Sequence, residues 1–329
     1  MKFLIAGLGS IGRRHFRNLL ALGERDIILY RSMSSTLPDD ELKGFPVETE
    51  LRGALAHNPQ AVIISNPTSL HLEVAIPAAK AGCSILMEKP ISHSLEGTDF
   101  LKTALKHHGG RFLTGFQFRY HPGLIQVKEW LSEERVGKVT SIQSHWGEYL
   151  PGWHPWEDYK NSYASRPDLG GGVVNTLSHP FDYLRWLFGE VATIQAAVSS
   201  NGLDLPVEDS ANIMMGFKSG SLANIHLNYI QRPPRHTLEI IGTKGTITWD
   251  NASGSACLYD VVKKEWQTET PPEGFERNLL FLDEMQHFLH VVRREEEPRC
   301  TLEDGLAALQ ITRAVHQAAH QSKLVELNQ

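Results

Sequence analysis

Short apolar runs and helix-length amphipathic stretches take turns along the first third of the chain. The runs Lys2 to Ala6, Asp26 to Tyr30, Ala61 to Ser65, Cys83 to Met87 and Arg111 to Gly115 predict strands. The Val-Ile-Ile of the third is the pattern of a strand buried on both faces. Helical patterns run from Arg13 to Leu22, Leu70 to Ala81 and Leu95 to His107, and Gly23 and Gly82 stand where the first two should end. Strands alternating with helices predict a doubly wound parallel sheet. After about residue 120 the rhythm changes. A helix is expected over Gly123 to Leu131 and a long strand over Val139 to Tyr149. Leu150 to Gly172, rich in Pro, Gly, Trp and Tyr, should be a loop, and Val173 to Phe188 one helix closed by Gly189. Alternating stretches follow at Thr193 to Ser199, Ser210 to Phe217, Ser221 to His226 and Thr237 to Ile241, with Gly242-Thr243-Lys244-Gly245 as a hairpin turn. Helices near Leu279 to Arg294 and Leu302 to Gln321 close the chain. The second half should therefore be an α/β domain with an open, mainly antiparallel sheet. The expected domains are 1–120 and 121–329, with the last helices free to pack back on the first.

Composition narrows the class. The 329 residues suffice for two domains. A 41% hydrophobic and 21% charged chain can bury a full core. The formal charge of -6 argues against nucleic acid as a partner. No stretch approaches the roughly 20 apolar residues that span a bilayer, and the run Phe3 to Ala6 stops at Gly7, too short for a leader. Cys83, Cys257 and Cys300 form neither a disulfide framework nor a metal spacing, so a cytoplasmic protein with reduced thiols is expected. No metal is expected, because there is no H-E-x-x-H and no Cys/His cluster.

The first chemistry-bearing motif is Gly7-Leu8-Gly9-Ser10-Ile11-Gly12, which follows a strand and opens a helix. That context suits a dinucleotide: Gly7 for the tight turn, Gly9 for backbone approach to the pyrophosphate, Gly12 for close helix packing. The helix N-terminus, through Ser10 and Ile11, offers N–H groups to phosphate. The second strand ends at Tyr30-Arg31-Ser32 with no acid for a ribose 2′-hydroxyl. Arg31 and Ser32 can instead hold a 2′-phosphate, which favours NADP, with NAD as the alternative. A solvated loop arginine is the other reading of Arg31.

Several further segments occur in a fixed order: Ser65-Asn66-Pro67-Thr68 with His71; Met87-Glu88-Lys89-Pro90; Gly115-Phe116-Gln117-Phe118-Arg119-Tyr120-His121-Pro122; Gly170-Gly171-Gly172-Val173-Val174-Asn175-Thr176-Leu177-Ser178-His179 followed by Asp182; and Ile240 to Thr246. Together this set resembles the glucose–fructose oxidoreductase / inositol dehydrogenase (Gfo/Idh/MocA) family across nearly the whole chain. The resemblance implies an N-terminal Rossmann domain followed by an α/β domain whose open sheet forms a homodimer or homotetramer. It also implies an NAD(P)-dependent dehydrogenase or reductase that interconverts a secondary alcohol and a ketone on a sugar, cyclitol or related molecule. Asn66, Pro67, His71, Glu88, Lys89 and Gln117 then join the cofactor site.

Such chemistry needs a group to take or give the hydroxyl proton. Lys89, beyond a strand at the carboxyl edge of the sheet, is the first candidate, since desolvation favours a neutral amine. Glu88 is expected to orient the turn or the nicotinamide ribose. His179 is a second proton carrier, and on one helix Asn175, four residues earlier, shares its face. Asn175 stands where the family usually has Asp; it keeps hydrogen-bonding capacity and loses the charge. Arg119, Trp153 and Tyr163 complete the expected substrate contacts, against the alternative that the aromatics pack a loop or an interface. Two other classes remain open: a non-catalytic dinucleotide-binding regulator, and a glycosidase that uses tightly held NAD for a redox-assisted elimination, which the family also contains.

Overall fold

Phe3, Leu4, Ile5 and Ala6 are all fully buried, as a central strand covered on both faces requires. The computed structural model describes residues 1–32 and 37–327. The described residues divide into two compact units, one within 1–117 with 277–309 and the other of 118–276 with 310–327. The helices in chain order are α1 (Ser10–Ala21), α2 (Leu51–Ala56), α3 (His71–Lys80), α4 (Thr98–His108), α5 (Pro122–Ser132), α6 (Val173–Thr176), α7 (His179–Phe188), α8 (Arg277–Val292) and α9 (Leu302–Gln321).

In the first unit β1 (Lys2–Ala6), β2 (Asp26–Tyr30), β3 (Val47–Glu48), β4 (Ala61–Ile64), β5 (Ser84–Glu88) and β6 (Phe112–Gly115) form a wholly parallel sheet of order β3-β2-β1-β4-β5-β6. Side chains of successive strand residues point to opposite faces. Accordingly Phe3 and Ile5 pack with Phe16 and Leu19 of α1 and Met285 and Phe288 of α8. Leu4 and Ala6 pack on the other side with Ala54, Ala75, Ala78 and Leu101 from α2, α3 and α4. The strand order reverses beside β1, so the loops leaving the carboxyl ends of β1, β2, β4 and β5 border the crevice where such sheets bind ligands.

In the second unit β7 (Val139–Tyr149), β8 (Val191–Ser199), β9 (Ser210–Phe217), β10 (Leu222–Asn228), β11 (Ile230–Gly242), β12 (Gly245–Asp250), β13 (Ala256–Asp260), β14 (Glu265–Glu269) and β15 (Val325–Glu326) form one sheet, ordered β14-β13-β12-β11-β7-β10-β9-β8-β15. Only β7 and β10 pair parallel; every other pair is antiparallel. One face buries Ile142, Ile213, Ile225 and Ile240 against Leu124, Phe181, Leu184 and Val315. The architecture is the expected one, a parallel Rossmann sheet followed by a mainly antiparallel one.

Two local expectations are corrected. The single helix over Val173 to Phe188 is broken into α6 and α7, with Leu177 and Ser178 between them. Pro180 explains the break: it has no N–H to give to a carbonyl one turn back, and its ring is tolerated only in a first turn. The stretch Leu150 to Gly172 is not featureless, but carries four short 3-10 turns. Among the described residues no helix is long and apolar enough to cross a membrane.

Candidate active site

The loop after β1 has the form of a phosphate cradle. Gly7, at φ +91°, turns the chain sharply, and its N–H donates to the Tyr30 carbonyl at 3.0 Å. A side chain on Gly12 would collide with the Gly7 carbonyl, so α1 approaches the sheet only because Gly12 has none. Gly9 is different: a Cβ there would meet nothing within 4 Å. No side chain caps α1 and its first turn holds no acid, which leaves the N–H groups of Ser10 and Ile11 facing that open side. An anion fits this donor set, and a dinucleotide's pyrophosphate is such an anion. The pair of glycines predicts a contrast. Gly9→Ala should keep the melting temperature and weaken NADH binding in a fluorescence titration. Gly12→Ala should instead unfold earlier by about 1–3 kcal/mol of overpacking.

At the end of β2 the structure adds a residue that spacing alone did not reveal. Arg31 is buried, and its Nη1 donates to Oδ1 of Asp39 at 2.6 Å. The same oxygen accepts from Arg13 Nη2 at 3.2 Å, and Arg13 also reaches Glu41. The Arg31 hydrogen bond, with help from Arg13, holds the Asp39 carboxyl below its ordinary value. The expectation of NADP needed an Arg31 open to a 2′-phosphate; its charge is instead met by Asp39. Ser32 follows, exposed.

The turns after β4 and β5 are tied together by His71. Its Nδ1 lies 3.0 Å from the Pro90 carbonyl and its Nε2 2.9 Å from the Asn66 carbonyl. Burial holds this imidazole below its ordinary value. Asn66 donates to Leu70 O at 3.2 Å, Pro67 leads into a short 3-10 turn, and Gln117, buried, begins another just after β6. His71 therefore shapes the edge of the cradle from the interior.

Glu88 and Lys89 leave β5 in different environments. Glu88 is 8% exposed and its Oε1 lies 2.7 Å from Nε2 of His15 on α1. Glu88 is expected from sequence to orient the turn or the nicotinamide ribose; in the structure its Oε1 is engaged by a side chain of α1. Burial pushes the Glu88 carboxyl up; the His15 hydrogen bond and the nearby His15, Lys89 and His71 outweigh it and hold the group below its ordinary value. Lys89 is half-buried. Burial pulls its ammonium down from 10.5 to about 8, against the Glu88 charge and with that of Arg277. Neither His15 nor Glu284, which joins His15 and Glu88 from α8, was foreseen, because the three lie on separate elements.

The second unit sorts the remaining candidates. Arg119 and Asp182 form a bidentate pair in the interior, with Nε 3.0 Å from Oδ2 and Nη2 2.7 Å from Oδ1. Their side chains are 4% and 2% exposed, so the Arg119 guanidinium is engaged by a buried countercharge. His179 begins α7, buried, with its ring 5.0 Å from Phe118 and 5.5 Å from Trp146. Asn175 lies on α6 and donates to Gly171 O at 3.1 Å. With the helix broken between them, Asn175 and His179 are not one turn apart on a single helix face. Trp153 packs edge-on to Tyr229 at 5.8 Å against the core, whereas Tyr163 is 40% exposed.

Comparisons with known proteins agree with this construction. Residues 1–116 match the model "Oxidoreductase family, NAD-binding Rossmann fold", and residues 124–248 match the "GFO/IDH/MocA C-terminal domain". The chain is 26% identical over 358 residues to myo-inositol 2-dehydrogenase of Thermotoga maritima, covering 100% of this chain and 99% of that protein. It is 26% identical over 274 residues to 1,5-anhydro-D-fructose reductase of Ensifer adhaerens, covering 81% and 79%. In three dimensions it is similar to levoglucosan dehydrogenase in complex with NADH and levoglucosan, with a TM-score of 0.89, 18% identity and full coverage of both chains. Matched in both halves and in motif order, the chain belongs to the Gfo/Idh/MocA family of oxidoreductases.

Proposed function

We propose that this chain oxidises a secondary alcohol of a sugar, cyclitol or related polyol to the ketone, or runs the reverse reduction, with Lys89 moving the hydroxyl proton. The observation that carries this is Lys89 itself, an amine at the carboxyl end of a parallel strand whose burial brings it down to about 8. A group titrating there exists in both protonation states at working pH, as an acid–base catalyst must. A bound nicotinamide supplies the hydride acceptor or donor. Gly9, Ser10 and Ile11 are suited to hold its pyrophosphate. His179 and Asn175 keep the proton-relay and hydroxyl-orienting roles that membership of the family suggests, and Tyr163 is the exposed aromatic of the expected substrate contacts. The test is NADH formation from NAD across a panel of cyclitols, anhydrosugars and aldoses. Turnover of one class supports the reading. Dinucleotide binding with no turnover on the whole panel would leave the regulator reading in its place.

For the cofactor we propose NAD over NADP. The support is Asp39, whose carboxylate takes the position on Arg31 that a 2′-phosphate would need. Bringing a phosphate there sets two anions in competition for one guanidinium. Asp39→Asn should therefore raise NADPH affinity about tenfold or more, the worth of one charged hydrogen bond, while NADH affinity changes little. Wild-type protein that already prefers NADPH, or a variant with an unchanged ratio, would sink the assignment. We also propose self-association through the sheet face opposite the helices of the second unit, where Met214 stands 41% exposed beside Asn212 and His226. A monomeric mass by light scattering at all concentrations would remove this.

A further inference from the structure

Three polar side chains from three elements meet inside the first unit, and the proposed proton transfer uses none of them directly. His15 on α1, Glu88 on β5 and Glu284 on α8 each bring a ligand-type atom within 4.8 Å of the others, and all three residues are buried. His15 is fully buried and its Nε2 lies 2.7 Å from Glu88 Oε1. Its Nδ1 has no hydrogen-bond partner among the described residues. A ring carrying its proton on Nε2 donates to the Glu88 carboxylate.

That bond matters because burial opposes the charge on Glu88. Burial by itself favours a protonated Glu88, and a second carboxyl, Glu284, stands beside it. The groups acting on Glu88 are His15 and Arg14 from α1, His71 from α3, Glu284 from α8, and Lys89 next in the chain. Glu88 raises Lys89 and Arg277 lowers it. Arg14, Arg277 and Lys89 already supply positive charge around the two carboxyls, which disfavours a metal ion in the trio.

We propose that His15 is a positioning residue for the reaction: its contact fixes the Glu88 carboxylate beside Lys89, and Glu88 in turn holds Lys89 in its working charge state. The proposal rests on the role of Lys89 argued above.

The experiment reads Lys89 directly in the whole protein, without substrate. Lysines are reductively methylated with carbon-13 and titrated by NMR, and the Lys89 resonance is identified by its absence from Lys89→Arg. The wild-type midpoint is expected near pH 8. His15→Leu should lower it, because the Glu88 carboxylate loses the partner that fixes it beside Lys89. His15→Gln, which keeps an N–H donor, should restore it, and the pH inflection of kcat/KM should follow the same order. If His15→Leu fails to fold, Glu88→Gln removes the charge itself with the shape kept and must lower the midpoint by about one pH unit. Wild-type midpoints in His15→Leu and Glu88→Gln would overturn the proposal while leaving the role of Lys89 intact. A shifted midpoint combined with a fully active Lys89→Ala would show the opposite: coupling without a part in the reaction.

Discussion

Replacing Lys89 by Ala should lower kcat on any turned-over polyol by about 10²–10⁴-fold, the usual worth of a positioned acid–base group, with NADH binding nearly unchanged. The sign of the pH dependence follows from the depressed amine. Oxidation needs the neutral form to accept the hydroxyl proton, so its rate should climb through about pH 8 and level off above. Reduction needs the ammonium to give that proton, so its rate should fall through the same region. The variant should lose both inflections. Stability carries a matching signature. Folded Lys89 titrates near 8 and an unfolded lysine near 10.5, so between these values the unfolded chain holds more protons. Stability contributed through this group therefore rises with pH across that window, and Lys89→Met should flatten the slope. A variant that turns over as fast as the wild type, with its profile unchanged, would remove Lys89 from the chemistry. A variant that fails to bind NADH would instead mark it as part of the fold of the cradle.

The parts of this site that could be read from the chain are those built by neighbours in sequence. Gly7, Gly9 and Gly12 lie in one turn, and Lys89 follows a strand whose apolar run is unmistakable, so their placement on the sheet edge followed from pattern alone. Asp39 was not legible because its bond to Arg31 is made by a loop folding back, with no periodicity to announce it. His15 and Glu284 were not legible because α1, β5 and α8 meet only through the packing of both helices on one sheet face. Edge strands escaped for another reason: all five residues of β14 are exposed, so it shows no buried alternation, and β3 is two residues long. The break before His179 was legible in principle, since Pro180 announces it, yet the surrounding apolar residues suggest one uninterrupted helix.

Asp182→Ala is expected to cost about 3–5 kcal/mol, because it leaves the Arg119 guanidinium buried without its countercharge. For a body of this size that corresponds to a fall of roughly 6–20 °C in melting temperature. Arg119→Ala should cost a similar amount for the mirror-image reason. The double replacement Arg119→Met with Asp182→Leu should recover much of the loss, since neither charge then needs solvating and the volume is kept. The mechanism is geometric as well as ionic. Arg119 leaves the turn after β6, Asp182 lies in α7, and three N···O contacts of 2.7 to 3.2 Å fix the two against each other. This pair also separates two readings of Arg119. A substrate anchor, once removed, raises KM and leaves the melting curve alone. A structural arginine does the reverse, and its variant, where it still folds, keeps its KM. The burial of both partners commits this protein to the second outcome, so a stable Arg119→Ala with a raised KM would return Arg119 to the substrate site.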